Sequence, residues 1–441
     1  MCLLPAFAGS VAAWAVVSRI VLETVLMATT AFAGGGLLCH HRDFRRLWIG
    51  DGISQLGTRI SALALPLVAV TALHASTLQV AVLTALETVA FLVIGLPAGA
   101  WCDRMRRRPV LIVGDLGRLL ALASVPAAAL FGVLTIWQLY AVALTVGVFT
   151  VFFDIAYQSY LPALVGRANL VEGNGRLEAN RTVAATAGPT VAGYLVQWLT
   201  APVAVAVDAL SFAWSAAWIA AIGAPEATPQ PAAQPRLRQQ IGEGLRFVFG
   251  HPILRAIVLS GTTAVVFYGA QGAIVVVFLV REVHQSPGAI GLLFSIASVG
   301  SVLGALCAAR LTRAFGQHRA LLLYVVGAGV AGLLIPLTTA GWRLAFFAVG
   351  LALVGFFIVA YNIVQVSLRQ TLCPDHLLGR MNATMRTVMW STLPLGAVLG
   401  GLLGTSLGLR PTLWISAVGA LLASLWLVFS PIADTRRAAA Y

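Results

Sequence analysis

Apolar stretches of about 20 residues recur from Phe44 almost to the C-terminus, and this repetition restricts what the chain can fold into. An α-helix of that length crosses the hydrocarbon core of a bilayer. The stretches lack the alternating pattern of a membrane β-barrel, so helices are the expected spanning structure. The predicted spans are 44–73, 79–101, 109–132, 137–160, 177–199, 203–223, 253–280, 288–309, 319–339, 343–368, 380–407 and 411–430. The sequence therefore predicts an all-α integral membrane bundle of twelve helices.

Composition supports a membrane protein and argues against two classes of partner. Only 10% of the residues are charged and the mean hydropathy is +0.91, whereas a soluble protein carries about 25% charged residues. The net charge of +13 is typical of nucleic-acid binding, but all 28 basic residues are arginines, most of them in or beside short loops between apolar stretches. A chain without lysine has no Walker-type phosphate loop. We therefore expect neither a nucleic-acid nor a nucleotide partner.

The arginines also predict the orientation of the chain. When alternate loops are assigned to opposite faces, only Arg281, Arg343 and Arg410 fall on one face, and nearly all others fall on the face of the core's N-terminus. Positive residues stay cytoplasmic because they are hard to move outward across the membrane. We predict a multi-pass protein of the inner (cytoplasmic) membrane, with both termini of its core in the cytoplasm.

The chain divides into two six-helix halves joined by a Pro-rich linker. The predicted segments are an N-terminal extension (1–39), an N-terminal half (40–223), a cytoplasmic linker (224–252), a C-terminal half (253–432) and a cytoplasmic tail (433–441). The extension is apolar enough for a signal peptide or a thirteenth helix, but Arg19 and Glu23 interrupt it. A membrane-surface extension, or a later translation start at Met27, is the favoured interpretation.

The two halves repeat at one fixed offset of 205 residues. A parallel repeat of two halves places a binding site at their shared interface, near the bilayer midplane, and works by alternating access. The matches are Gly95, Gly99 and Cys102 with Gly300, Gly304 and Cys307, Arg181-Thr182-Val183 with Arg386-Thr387-Val388, and Pro189 with Pro394. The repeat favours a transporter.

One loop carries a signature motif. The segment Gly99-Ala-Trp-Cys-Asp103-Arg104-Met-Arg106-Arg107-Arg108-Pro109 resembles the signature loop of the major facilitator superfamily, although Arg106 replaces a second glycine. The resemblance implies a gate latch, in which Asp103 braces a helix of the other half and Arg104 pairs with Asp154, near the cytoplasmic end of the fourth helix. Asp115 and Arg118 join the network on this interpretation. The predicted gating residues are Gly99, Asp103, Arg104, Arg107, Arg108 and Asp154. The alternative is a basic loop that only sets topology.

A second motif and three longer sequence segments resemble the same superfamily. Gly188-Pro189-Thr-Val-Ala192-Gly193 resembles the antiporter motif GPxxGG of its exporters, with Ala192 in place of one glycine. Residues 44–430 resemble the branch that contains the enterobactin exporter and macrolide efflux proteins. The likeness lies in FRRLWIGDGISQLGTRISALALPL, GLPAGAWCDRMRRRPVLI and FFDIAYQSYLPALV. It implies a major-facilitator-type fold and predicts roles for Gly188, Pro189 and Gly193 in export.

Ionisable residues inside a membrane cost a few kcal/mol each, and four of those in the predicted spans lie away from the arginine-rich face: Asp51, Arg59, Glu87 and Asp208. We hypothesise that Glu87 or Asp51 carries the coupling proton, with protons as the coupling ion, and that Arg59 adjusts its proton affinity or contacts substrate. The alternative is a static Arg59–Glu87 ion pair and a hydrogen-bonded helix-end cap at Asp208.

Five polar residues of the seventh and tenth helices are predicted to line the site: Tyr268, Gln271, Tyr361, Asn362 and Gln365. An apolar cavity with few polar groups suits a small amphipathic organic molecule. The predicted function is proton-driven export of drug-, antibiotic- or siderophore-like compounds. The alternatives are an importer or uniporter of a small metabolite, and a membrane sensor or enzyme without transport. No catalytic, metal or cofactor site is predicted.

Overall fold

The computed structural model describes residues 36–102, 104–166, 169–226, 237–374 and 377–431. Several predictions lie outside these residues: the role of Asp103, most of the N-terminal extension, the Pro-rich part of the linker and the C-terminal tail. The short helix Leu37–His40 precedes the first long helix.

Six long helices form the N-terminal half. They are α1 (Arg42–Leu67), α2 (Thr77–Cys102), α3 (Arg107–Leu130), α4 (Ile136–Val165), α5 (Leu170–Trp198) and α6 (Ala201–Ala220). A π-helical turn, Val68–Ala72, extends α1. Local chemistry sets several of the ends: the Thr135 hydroxyl accepts a hydrogen bond from the Gln138 backbone N–H at 3.3 Å and caps α4. Gly166 ends the same helix with φ of 73°, a conformation that favours glycine.

The C-terminal half repeats this order. Its helices are α7 (Pro252–Arg281), α8 (Pro287–Phe315), α9 (Gln317–Gly332), α10 (Leu344–Leu372), α11a (Leu378–Trp390), α11b (Leu393–Ser406) and α12 (Leu409–Leu422, continued by Leu425–Val428). The helix Leu237–Gly250, here called the linker helix, precedes α7 and packs on α11a. An ion pair between Glu243 and Arg380 joins these two helices.

Eleven spans in the described part of the chain are long and apolar enough to cross a membrane. The long helix outside this set is α5, whose first half carries Glu172, Arg176, Glu178 and Arg181. The described residues contain no β-strand, so the all-α class is confirmed. The exact number of twelve spanning helices stays a prediction.

Packing inside each half follows the sequence repeat. In the N-terminal half α1 packs on α5 and α6, α2 on α4, and α3 on α4 and α6. In the C-terminal half α7 packs on α11b and α12, α8 on α10, and α9 on α10 and α12. The halves meet where α5 packs on α8 and α2 packs on α11b. These two seams are equivalent under the repeat, as expected for two related halves around one interface.

The seams lie towards the end of the bundle that carries Arg281, Arg343 and Arg410, here called the arginine-poor end. At the α5–α8 seam, Gly193 faces the backbone of Pro287, and Gly291 faces the Pro189 carbonyl. The Thr190 hydroxyl bonds to the Ser295 hydroxyl at 2.7 Å. Small residues allow this close backbone approach.

The loops at this end add further bonds between the halves. Arg281 donates from Nη2 to the Ala75 carbonyl at 2.5 Å, and the Gly288 N–H donates to Gln197 Oε1 at 3.0 Å. These contacts between the halves thus lie near the arginine-poor end.

The glycine seam leads to a first prediction. A side chain at Gly291 would collide with the Pro189 carbonyl, so Gly291→Leu should push α8 away from α5. In a cysteine-free background, a cysteine at the buried position Ser295 should then react several-fold faster with a maleimide. The matched control is Gly272→Leu, because a side chain at Gly272 meets no atom within 4 Å. Equal labelling rates in the two variants would show that the seam does not depend on this contact.

Candidate transport cavity

A cavity of about 580 Å³ lies between the halves, and most of its wall belongs to the N-terminal half. The wall includes residues of α1, α2, α3, α4, α5 and α6. Among the described residues, the C-terminal half contributes Arg386 and Trp390 of α11a. The cavity is thus chemically one-sided: ionisable groups of the N-terminal half face a single helix of the other half.

The structure does not bring the five predicted polar residues of α7 and α10 to this cavity. Gln271 and Gln365 are buried, and Gln365 donates to Asn362 Oδ1 at 3.2 Å within α10. Tyr361 is part of the apolar core of the C-terminal half. Tyr268 is only partly buried on α7. Polarity alone selected these residues, and polar groups that pack within one half carry the same sequence signal.

The N-terminal half contains a buried charge cluster around Arg118. Its guanidinium donates to Asp115 Oδ1 at 2.5 Å and lies 4.2 Å from the ring centroids of both Phe153 and Phe212. Asp154 and Asp208 act on the same guanidinium electrostatically. A desolvated arginine between two aromatic rings gains cation–π stabilisation in addition to its ion pair. The cluster therefore joins α3, α4 and α6.

Two carboxylates of the cavity wall are held by hydrogen bonds. Asp51 accepts from Gln55 Nε2 at 3.2 Å and from Asn180 Nδ2 at 3.0 Å, which links α1 to α5. Asp208 accepts from Ser211 Oγ at 3.0 Å. The helix-end cap proposed for Asp208 is wrong, because this residue lies inside α6 rather than at its end. It faces Gly57 of α1, where a larger residue would clash.

Glu87 and Arg59 both line the cavity, but the structure does not contain the ion pair considered for them. Glu87 Oε1 is buried with no hydrogen-bond partner among the described residues. The exposed Arg59 side chain lies in the field of Arg181 and Glu178 of α5. Glu87 is thus a cavity carboxylate whose charge no arginine neutralises by direct contact in the described part of the chain.

The signature loop ties two helix ends together. The backbone N–H groups of Arg107 and Arg108 donate to the Glu226 carboxylate, which caps the start of α3. The Arg108 side chain donates to the carbonyls of Ile219 and Ala220 at the end of α6. This loop therefore fixes the start of α3 to the residues that follow α6.

The latch implied by the resemblance is not assembled in this conformation. Arg104 is exposed, and no ion pair among the described residues joins it to Asp154. Asp154 lies in the cavity wall, about three turns before the end of α4 at Val165. The expected position of Asp154 near the helix end is therefore corrected, and the gating role of the loop stays a prediction.

The antiporter-like motif sits between the cavity and the α5–α8 seam. A side chain at Gly188 would collide with the Arg59 side chain. The absence of a side chain at Gly188 therefore leaves the space that Arg59 occupies beside α5. Pro189 presents its carbonyl to Gly291, and Gly193 faces Pro287. The motif thus contacts both α1 and the other half of the protein.

Sequence reasoning missed most of the cavity wall, including two arginines and a tryptophan. Arg181, Arg386 and Trp390 line the cavity, and the first two stand out in the sequence only as repeated positions. The repeat was a signal for the two arginines, because it relates them across the halves and predicts a site at the shared interface. Trp390 gives no such signal, since Ala185 stands at the matching position.

Comparison with known proteins decides the family. A family model described as a transmembrane secretion effector matches residues 38–440. The chain belongs to this family of the major facilitator superfamily. The multidrug efflux pump Tap of Mycolicibacterium fortuitum is 29% identical over 81% of the chain and 88% of its own length. The enterobactin exporter EntS of Citrobacter koseri is 24% identical over 89% and 92%. Macrolide efflux protein A of Streptococcus pyogenes is 22% identical over 89% and 96%.

Solved structures confirm the fold. A bacterial homologue of the iron transporter ferroportin aligns with a TM-score of 0.69 at 17% identity, over 88% of this chain and 98% of its own. The nucleoside transporter NupG aligns with a TM-score of 0.74 at 10% identity, over 88% and 98%. The major-facilitator-type bundle predicted from the sequence is confirmed. The chain is a multi-pass efflux transporter of small molecules and not an enzyme.

The Arg118 cluster gives a second prediction. Replacing Arg118 by Gln leaves the fully buried Asp115 carboxylate without its charged partner. Loss of one partner of a buried pair costs about 3–5 kcal/mol, so the free energy of unfolding in an SDS titration should fall by that amount. The double variant Asp115→Leu/Arg118→Met should lose less, because it leaves no unpaired charge.

The matched control is Arg46→Gln, which removes the arginine of the Arg46–Asp43 pair of α1 at 2.8 Å, a partly exposed pair. A pair of this kind contributes at most about 1 kcal/mol. Equal losses for Arg118→Gln and Arg46→Gln would rule out the central role of the buried cluster.

Proposed function

We propose that the protein is a proton-driven exporter of small amphipathic organic compounds, and that it works by alternating access. The observation that carries this proposal is the cavity between the halves, which is closed by glycine seams on one side and lined by ionisable residues of the N-terminal half. The names of the relatives, a multidrug pump, an enterobactin exporter and a macrolide efflux protein, support a drug-, antibiotic- or siderophore-like substrate.

The packing of the halves supports alternating access. The α5–α8 and α2–α11b seams are related by the internal repeat and lie on the same side of the cavity. Rocking of one half against the other around a fixed site would open these seams and close the opposite, arginine-rich end. Both seams approach through small residues such as Gly193, Gly291 and Gly401, so their helices can separate without disengaging large side chains.

The charge distribution supports a cytoplasmic position for the arginine-rich end. Nearly all arginines of the loops lie there, and positive residues are retained on the cytoplasmic side. On this orientation the cavity of the present conformation opens to the cytoplasm. An exporter must load its substrate from that side. Both ends of the core are then cytoplasmic, in the inner membrane.

Glu87 is the residue best placed to carry the coupling proton. It lines the cavity, and its Oε1 atom has no hydrogen-bond partner among the described residues. Asp51 lines the same cavity, but its carboxylate accepts hydrogen bonds from Gln55 and from Asn180, and the second of these bonds links α1 to α5. A carboxylate without fixed partners can gain and lose a proton without breaking a structural contact.

The proposal predicts that Glu87→Gln uncouples transport. In cells without their own efflux pumps, the wild-type protein should lower the accumulation of a fluorescent amphiphile, and a protonophore should abolish the effect. The Gln variant cannot exchange a proton, so it should lose uphill export. In proteoliposomes it should keep downhill dye exchange, which needs no proton.

The control is Glu282→Gln, the same change at the arginine-poor end, where Glu282 pairs with Arg410 at 3.5 Å. This variant should export like the wild type. Uphill export by Glu87→Gln at the wild-type rate would exclude Glu87 as the coupling residue. Protein-dependent dye uptake into the cells would instead support the importer.

A further inference from the structure

We propose that the cavity selects organic anions, with the anionic group of the substrate held between Arg181 and Arg386. This inference rests on the proposed transport function and names the substrate class of the same site. The substrate is an amphipathic molecule with a carboxylate-like head and an aromatic or otherwise planar body. A molecule with a positive charge and the same ring system is the competitor that the cavity discriminates against.

The two arginines are equivalent under the internal repeat and meet at one cavity. Arg181 is the first residue of the Arg-Thr-Val triplet in α5, and Arg386 is the first residue of its copy in α11a. Both line the cavity, and both act electrostatically on Asp154, which places that carboxylate in the field of the two. One positive charge therefore comes from each half of the protein.

Three of the four arginines of the cavity wall are exposed, the exception being the buried Arg118, whereas its four acids are buried or half-buried. Arg59 and Arg386 are exposed and have no hydrogen bond or ion pair with any described residue. Asp51 and Asp208, by contrast, are 6% and 1% exposed and accept hydrogen bonds from neighbouring side chains. A ligand that enters the cavity thus meets guanidinium groups first, although the wall contains as many acids as arginines.

The arginines also gather at an energetic cost. Arg59 lies in the field of Arg181, and the repulsion between these like charges is unfavourable in a cavity with restricted solvent. The Arg181–Glu178 pair offsets little of it, because its atoms are 3.7 Å apart and its side chains are 45% and 68% exposed. A bound anion would relieve the repulsion, and guanidinium groups bind carboxylates with two parallel hydrogen bonds.

Trp390 supplies a surface for the body of the substrate. It follows Arg386 by one helical turn, so the two side chains share a face of α11a. The indole lines the cavity and is 60% exposed. A planar ring stacked on Trp390 would place an attached carboxylate beside Arg386. Charge recognition and ring recognition thus come from neighbouring positions of one helix.

Two dyes that share a xanthene ring but differ in charge test the inference. Carboxyfluorescein is an anion, and tetramethylrhodamine methyl ester is a cation. Their binding to the purified protein in detergent is measured by fluorescence anisotropy. The wild type should bind the anion with a dissociation constant at least about tenfold lower than that of the cation. Arg386→Gln and Arg181→Gln should each weaken anion binding about tenfold and leave cation binding unchanged or stronger.

Two further variants separate charge from fold. Arg386→Lys keeps the charge and should retain more anion affinity than Arg386→Gln, although it loses the paired hydrogen bonds. Arg343→Gln removes an exposed arginine outside the cavity and should change nothing. Each variant is compared only as a monodisperse preparation.

Equal binding of the two dyes, tighter binding of the cation, no binding of either dye, or an unchanged affinity in both Gln variants would overturn the inference. Dye transport distinguishes this failure from failure of the proposed function. Proton-driven export of the cation would refute anion selectivity and leave export standing. Anion binding without any proton-driven transport would refute the coupling and leave the selectivity standing.

Discussion

A charge inside a membrane protein must be neutralised by a nearby group, and the arrangement around Arg118 satisfies this requirement for the N-terminal half. The guanidinium lies between Phe153 and Phe212 and pairs with Asp115, so helices α3, α4 and α6 meet at one buried cation. Two acids of the cavity, Asp154 and Asp208, lie in the field of the same cation. The rings exclude water from the cation, which strengthens every interaction it makes.

The two halves have different chemistry although they share one architecture. The N-terminal half supplies nearly all of the ionisable groups of the cavity wall, and the C-terminal half supplies Arg386 and Trp390. The signature loop shows the same asymmetry. Its N-terminal copy contains Arg107 and Arg108, which connect the start of α3 to Glu226 and to the end of α6. The copy in the C-terminal half has Ala308 and Ala309 at the positions of the acidic-basic pair.

Hydropathy was sufficient to predict the all-α membrane bundle, and the internal repeat predicted two related halves around a shared interface. The sequence also identified Asp51, Arg59, Glu87 and Asp208 as cavity residues, since charged groups inside spans face the protein interior. It could not predict which of them pair, because pairing depends on the rotation of each helix about its axis. A change of one residue in that rotation turns a side chain by about 100°. The Arg59–Glu87 pair, considered as an alternative, is absent among the described residues for this reason. The latch between Arg104 and Asp154 is not assembled in this conformation, and its gating role stays a prediction.

The polar residues of α7 and α10 show that the sequence also could not predict which polar groups face the cavity. Gln365 and Tyr361 are as polar as residues of the cavity wall, yet the structure places them in the packing of their own half. Arg181 and Arg386 were recognisable only as repeated positions. Their convergence becomes visible once α5 and α11a are placed on opposite sides of the cavity.

The α5–α8 seam has a mechanical consequence. Where Gly193 and Gly291 lie against the backbone of the opposite helix, the contact is between two smooth surfaces rather than between interlocked side chains. Sliding along this seam does not require side chains to leave sockets, although it breaks the hydrogen bonds of Thr190 with Ser295 and of Gln197 with Gly288. The joint is therefore stiff against compression and compliant in shear. A pair of helices joined in this way allows one half of the protein to rotate against the other while the two helices stay aligned.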